Sequence, residues 1–230
     1  MSLYLTNKTI LPAIHANKAL WCNAPEYHDY HAIAVEPAPV TCRRTGATVT
    51  RQMPLGEDCL TPEYWNLMAS VSGVDPQDLI IRVMTGSHIP PEHLADARRL
   101  FRPYKHFKLV DGRIVEVLRS HWIGSPETGY YSIDHARPSK EIAAMWYELA
   151  DRISNKSNFR GYGYREDMVG DALLMLSQVG LQFDESRGKN VFSYWTTIIK
   201  NQFLQVLNRE RKTRELRDTL LRSMGVDVED

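Results

Sequence analysis

The chain carries few cysteines, only Cys22, Cys42 and Cys59 in 230 residues, and no C-x-x-C pair among them. An odd count at wide spacing argues against a disulfide framework and against a zinc module of the usual paired type. A zinc site built from Cys42, Cys59, His28 and His31 would have to be assembled by the fold alone. Core cysteines and surface histidines account for the same residues, so no metal and no cofactor is expected. No apolar run approaches the roughly 18 residues of a membrane span. Met1 to Leu20 also lacks the uninterrupted apolar segment of a signal peptide. A protein of the cytoplasm, with no membrane partner, is the expectation.

Catalytic signatures are missing as well. There is no G-x-x-x-x-G-K-[ST], G-x-S-x-G or H-E-x-x-H, and Gly161-x-Gly163 follows no strand, so it reads as a turn between helices rather than a phosphate loop. Asp58, Glu63, Asp75 and Asp78 read as helix caps and first-turn charges. No enzymatic activity is expected. Net charge is absent too: 28 basic and 28 acidic residues cancel, so attraction to a polyanion would need local segregation of charge. What remains is an ordinary globular composition, 43% hydrophobic and 24% charged, sufficient for a real core.

Along the chain, the first 36 residues show little periodicity and read as irregular, with Glu36-Pro-Ala-Pro-Val40 as an extended connector. Val40 to Gln52 alternates around Thr45-Gly46 like a hairpin. Thr61-Pro62-Glu63, Asp75-Pro76-Gln77 and Pro90-Pro91-Glu92 each open a predicted short helix, ending near Ser70, Thr85 and Phe101. Phe107 to Val117 alternates about Asp111-Gly112, the strongest hairpin signal present. Residues 1–125 are thus a small α+β domain of unknown role, followed by a linker over 126–138. Beyond it the pattern is helical. Ser139 caps a helix with Ile142, Met145, Trp146, Leu149 and Ile153 at helical spacing, and a second begins near Arg165 with Met168, Ala172, Met175, Leu176 and Val179 on one stripe. A third is expected from about Lys189 to Arg214, with Phe192, Trp195, Ile199, Phe203 and Val206 inside. The fold class expected is mainly α, a helical domain over 139–222 with an acidic tail over 223–230.

The third helix carries more than a core stripe. Tyr194, Thr197, Lys200, Asn201, Gln205 and Asn208 lie off it, and Arg209, Arg211, Lys212, Arg214, Arg217 and Arg222 are opposed only by Glu210, Glu215 and Asp218. Aromatic faces stack on splayed bases, amides bond their edges, and cations hold phosphates. A solvated helix face without a partner explains the same charges and amides.

Phe183-Asp184, Arg187-Gly188, Tyr194 and Thr196, placed before a basic segment, resemble the promoter-melting second region of bacterial sigma factors. The fuller set Asn158-Phe159, Gly161-Tyr162, Met168, Phe183-Asp184-Glu185, Lys189-Asn190, Tyr194, Thr196, Asn201, Phe203, Gln205 and Glu210-Arg211-Lys212 is similar to the late-transcription sigma factors of large tailed bacteriophages. Gly129 to Asp134 and Ser139-Lys140-Glu141 extend the similarity upstream, so it covers about 129–222. The resemblance implies a helical bundle of the sigma second-region type. It implies that Glu166, Asp167, Asp171 and Gln178 dock on the β′ coiled coil of bacterial core RNA polymerase. It places Tyr194, Trp195, Thr196, Lys200 and Asn201 at the nontemplate strand of an AT-rich, −10-like late promoter. Gln205, Asn208, Arg209, Arg211 and Lys212 then lie at the upstream duplex edge and backbone. It also implies transcription initiation in the cytoplasm of an infected host.

Two departures stand out. Primary sigma factors have a tryptophan pair where this chain has Thr197 and Ile198, and no further helix-turn-helix domain is expected after Arg222. The phage family relies on a sliding clamp and co-activator; Leu220-Leu221 and the run from Met224 to Asp230 are the segments to compare with its clamp-binding tail, a frayed end being the alternative. A free-standing nucleic-acid-binding adaptor, with a protein-binding N-terminal domain, is the second reading of the whole chain.

Overall fold

The structure, a computed structural model, describes residues 5–41, 46–134, 137–188 and 190–224. The first helix, α1 (Asn7–Ala19), lies where the sequence reads as irregular, and Pro12 in its interior hides it from a propensity reading. After it come β1 (Ala32–Ile33), β2 (Val35–Thr41), β3 (Thr48–Pro54), α2 (Pro62–Ser72) and β4 (Ile80–Val83). Next are α3 (Leu94–Leu100), β5 (Lys105–Val110), β6 (Arg113–Arg119), β7 (Trp122–Ile123) and β8 (Tyr130–Tyr131). The chain then turns helical, with α4 (Lys140–Ser154), α5 (Arg165–Val179) and α6 (Val191–Ser223).

The expected mainly-α class does not hold. The chain is 51% helix and 18% strand, an α+β fold with a four-stranded mixed sheet and two smaller sheets. In the larger sheet the order is β1-β4-β5-β6, with β1 parallel to β4 and the other pairs antiparallel. The helix expected from Asp75 is in fact a turn leading into β4. The Asp75 carboxylate accepts from the Gln77 N–H at 2.8 Å, and Leu79, Ile81 and Val83 are then fully buried against Trp65 and Ala69 of α2. Burial of β-branched side chains at the sheet centre outweighs a local capping signal. The proline-containing connector is strand β2, paired antiparallel with β3 in a largely exposed two-stranded ribbon. Within the expected linker, β8 pairs with β7, which lies just before it, and Tyr131 stacks on His93 with ring centroids 4.7 Å apart.

Local signals that are strong do form as read. The Thr61 hydroxyl accepts from Tyr64 N–H at 3.2 Å, and the Ser139 hydroxyl from Ile142 N–H at 3.2 Å. Asp111 and Gly112 both take positive φ, 49° and 73°, as a two-residue hairpin turn requires.

The helical core is a bundle of α4, α5 and α6, completed by α1 from the other end of the sequence. Ile10, Ala13 and Ile14 of α1 lie in one cluster with Trp146, Met168, Leu176, Trp195, Ile199 and Phe203. Burying each large apolar side chain stabilises by about 1.5–3 kcal/mol. The sequence boundary near 125 is therefore crossed by the core itself. It is crossed again by charge: Lys18 Nζ lies 2.8 Å from Glu185 Oε1 and donates to the Phe183 carbonyl at 2.8 Å, with all three groups buried. Arg82 Nη1 stands 3.8 Å from the same carboxylate. At the surface Arg102 pairs with Asp184 at 3.2 Å.

Candidate nucleic-acid interface

α6 spans 33 residues, past the expected end at Arg214, and at 1.5 Å per residue is roughly 50 Å long. Asn190 caps it, its side chain accepting from Ser193 N–H at 3.0 Å. The last fully buried residue is Val206, so the second half projects away from the bundle. Exposure then sorts the residues that the sequence nominated for promoter contact.

Trp195 is not available to DNA. Its ring is fully buried and lies edge-on to Trp146 at 5.8 Å, while its indole N–H donates to the Gly180 carbonyl at 2.9 Å. The resemblance placed it at the DNA strand while its helical spacing placed it on the inner stripe, and burial wins. Tyr194 is tied down as well. Its hydroxyl donates to the Val179 carbonyl at 2.7 Å and its ring packs on Phe183, with centroids 5.6 Å apart. Burial pushes its phenol above the ordinary range. Thr196 is half-buried, with its hydroxyl oxygen enclosed and unpartnered among the described residues. Tyr194 and Trp195 therefore tie α6 to the end of α5 and to α4.

The amides and cations sit differently. Asn201, Gln205, Asn208 and Lys212 recur at i, i+4, i+7 and i+11, all exposed, and make no hydrogen bond or ion pair among the described residues. Lys200 is likewise exposed and unpaired on an adjoining face. Gln205, Asn208, Arg209 and Lys212 line a shallow groove of about 400 Å³. Arg209 is engaged by Asp171 of α5 at 3.2 Å, and Arg211 lies 3.6 Å from Glu215. The Arg211–Glu215 pair is exposed, and a pair of that kind is worth little.

On α5, Glu166, Asp167 and Gln178 are exposed, and their side chains meet no partner among the described residues. Asp171 differs, being half-buried and committed to Arg209. Leu174, which sequence reasoning missed, is 61% exposed on the same helix.

Tyr162, matched only as part of the family similarity, and Tyr164 were given no contact role by the sequence. The turn between α4 and α5 sets their rings 5.3 Å apart at 31°, beside Leu207, Asn208, Arg211 and Arg214 of α6, around a cleft of about 290 Å³. Only tertiary structure joins positions some 45 residues apart. The one available signal was an aromatic on each side of Gly163.

The remaining sequence candidates do not gather. Cys22 is buried 3.4 Å from the Tyr104 hydroxyl, and burial pushes its thiol up to about 12. Cys42 lies outside the described residues, as do Lys189 and the tail from position 225. Among the described residues no group of three or more His, Cys, Asp or Glu side chains is assembled to hold a metal ion. Nor is any described helix long and apolar enough to cross a membrane. Comparison with protein-family models, with curated proteins and with solved structures found no match.

Proposed function

We propose that the chain is a sigma-like specificity subunit without catalysis of its own. It binds bacterial core RNA polymerase through α5 and opens an AT-rich, −10-like late promoter along α6. The observation that carries this reading is the run Asn201, Gln205, Asn208 and Lys212, exposed, on one face of α6 and unpartnered among the described residues. Water satisfies these exposed amides, so their donors and acceptors are free to exchange water for the edge of a base. Against a separated strand they bond base edges, while Lys200, Arg211 and Lys212 neutralise phosphates. Glu166, Asp167, Leu174 and Gln178 supply a docking face turned to a basic protein surface.

With Trp195 in the core and Tyr194 hydrogen-bonded inward, α6 holds the strand by amides and charge rather than by an aromatic wedge on that helix. Arg209, paired to Asp171, couples the two faces. Asn201→Ala with Gln205→Ala removes edge contacts at exposed positions. The fold and polymerase binding should be unchanged, while strand opening, read as permanganate reactivity of unpaired thymines on an AT-rich template, should drop at least tenfold. Full opening by the double variant would refute the role given to this face.

A further inference from the structure

The aromatic surface that a strand-capturing protein needs is absent from α6, yet one is held beside it. The turn after α4 is fixed from both ends. Phe159 is buried edge-on against Phe203 of α6 at 5.1 Å, and Arg165 donates to Asn155 Oδ1 at 2.8 Å and reaches Asp151 at 3.6 Å. Tyr164 packs on the bundle core, and Tyr162 leans on it at 5.3 Å with 41% of its surface open. Across the cleft stand Asn208, Arg211 and Arg214. Arg214 carries no ion pair among the described residues, and the Asn208 amide is unpartnered there.

We propose that this cleft binds one unpaired nucleotide of a nucleic-acid strand. The base lies on the Tyr162 ring, the Asn208 amide meets its edge, and Arg214 with Arg211 holds the adjoining phosphate. A simple carboxylate or phosphate ligand would use the arginines and leave the tyrosines and the amide without a role. Stacking with an edge contact and a charge on one side describes a nucleotide. Asn208 also belongs to the exposed run that continues through Gln205 to Asn201, so the strand leads out of the cleft along α6. A nucleotide within a strand is therefore favoured over a free one. This inference rests on reading α6 as a strand-binding surface.

The test uses the full chain and a fluorescein-labelled single-stranded DNA of about 12 nucleotides, followed by anisotropy over a range of salt. Tyr162→Ala should weaken binding roughly tenfold at an unchanged salt slope, and Tyr162→Phe should stay within about twofold of wild type. Arg214→Ala should lower the salt slope by about 0.7. An abasic strand of equal length should bind weakly and be indifferent to Tyr162→Ala. A mononucleotide should compete poorly with the intact strand.

Equal binding of the intact strand by wild type and Tyr162→Ala overturns the cleft, as does an equal loss on the abasic strand. Efficient competition by the mononucleotide overturns the strand assignment. If Asn201→Ala with Gln205→Ala weakens binding while Tyr162→Ala does not, the cleft falls and the α6 reading stands. If wild type binds no strand, the cleft falls, and polymerase binding decides the remainder separately.

Discussion

Trp195→Ala should unfold the helical half well before it alters any DNA contact. The indole is fully buried between α4 and α6, and its N–H donates to the Gly180 carbonyl, whose neighbourhood is already tight. A Cβ added at Gly180 would come within 2.5 Å of the Trp146 ring, so the surrounding side chains cannot simply slide in to fill a void. Truncating a buried tryptophan costs about 3–5 kcal/mol, which for a chain of this size lowers the melting temperature by roughly 6 to 20 °C. Calorimetry checks it. A variant that melts like wild type but no longer opens promoters would restore Trp195 to the DNA face.

Glu185→Gln should be nearly as damaging, through charge rather than volume. The carboxylate is buried between Lys18 of α1 and Arg82 of β4, and Arg82 itself is sandwiched by the rings of Tyr30 and Tyr104 at 4.0 and 3.9 Å. Burial pushes Glu185 up, but the two cations overcome this and hold it below the ordinary carboxylate range. Neutralising it leaves two buried cations without their counter-ion, a loss of about 3–5 kcal/mol in urea unfolding. Lys18→Met in the same chain should recover part of that loss. A cost under about 1 kcal/mol would mean that the cluster does not hold α1 and β4 to the segment before α6.

The same cluster contributes to the acid response. Burial, with Arg82 adding to it, lowers His15 to about 4, and burial first and Arg82 second hold His106 well below its ordinary value. His106 stays neutral by accepting from Arg82 Nε at 2.8 Å while its other nitrogen is 2.7 Å from the Tyr27 carbonyl. In the unfolded chain these rings take up protons near their ordinary value of 6.5. As pH falls from there towards 4, the unfolded state binds more protons, so stability declines across that window. Glu185, with its depressed value, adds its own loss only at lower pH.

Much of the helical half was legible because its cues are local. The stripes Met168, Ala172, Leu176 and Trp195, Ile199, Phe203 repeat at the helical period, and Ser139 caps where a cap was expected. α1 was not legible, since Pro12 interrupts it and its apolar residues become a core only when α4 and α6 arrive from more than a hundred positions away. β4 was hidden behind Asp75-Pro76, whose turn chemistry resembles a helix start. In the candidate site, exposed amides and cations were read at their positions, but side-chain direction was not. Periodicity put Trp195 on the inner face while the resemblance placed it at the strand, and neither could say that Tyr194 would find the Val179 carbonyl. Tyr162 needed the fold, because only the packing of Phe159 on Phe203 brings that turn to Asn208 and Arg214.

Co-migration with bacterial core RNA polymerase on a sizing column decides the central assignment. Wild type should travel with the polymerase. Leu174→Arg, at a position 61% exposed where folding is not at stake, should remain behind while melting normally. Asp171→Arg serves less well, because it would also release Arg209 on the opposite face. Failure of wild-type protein to join the polymerase, or retention of Leu174→Arg at full strength, would contradict docking through α5.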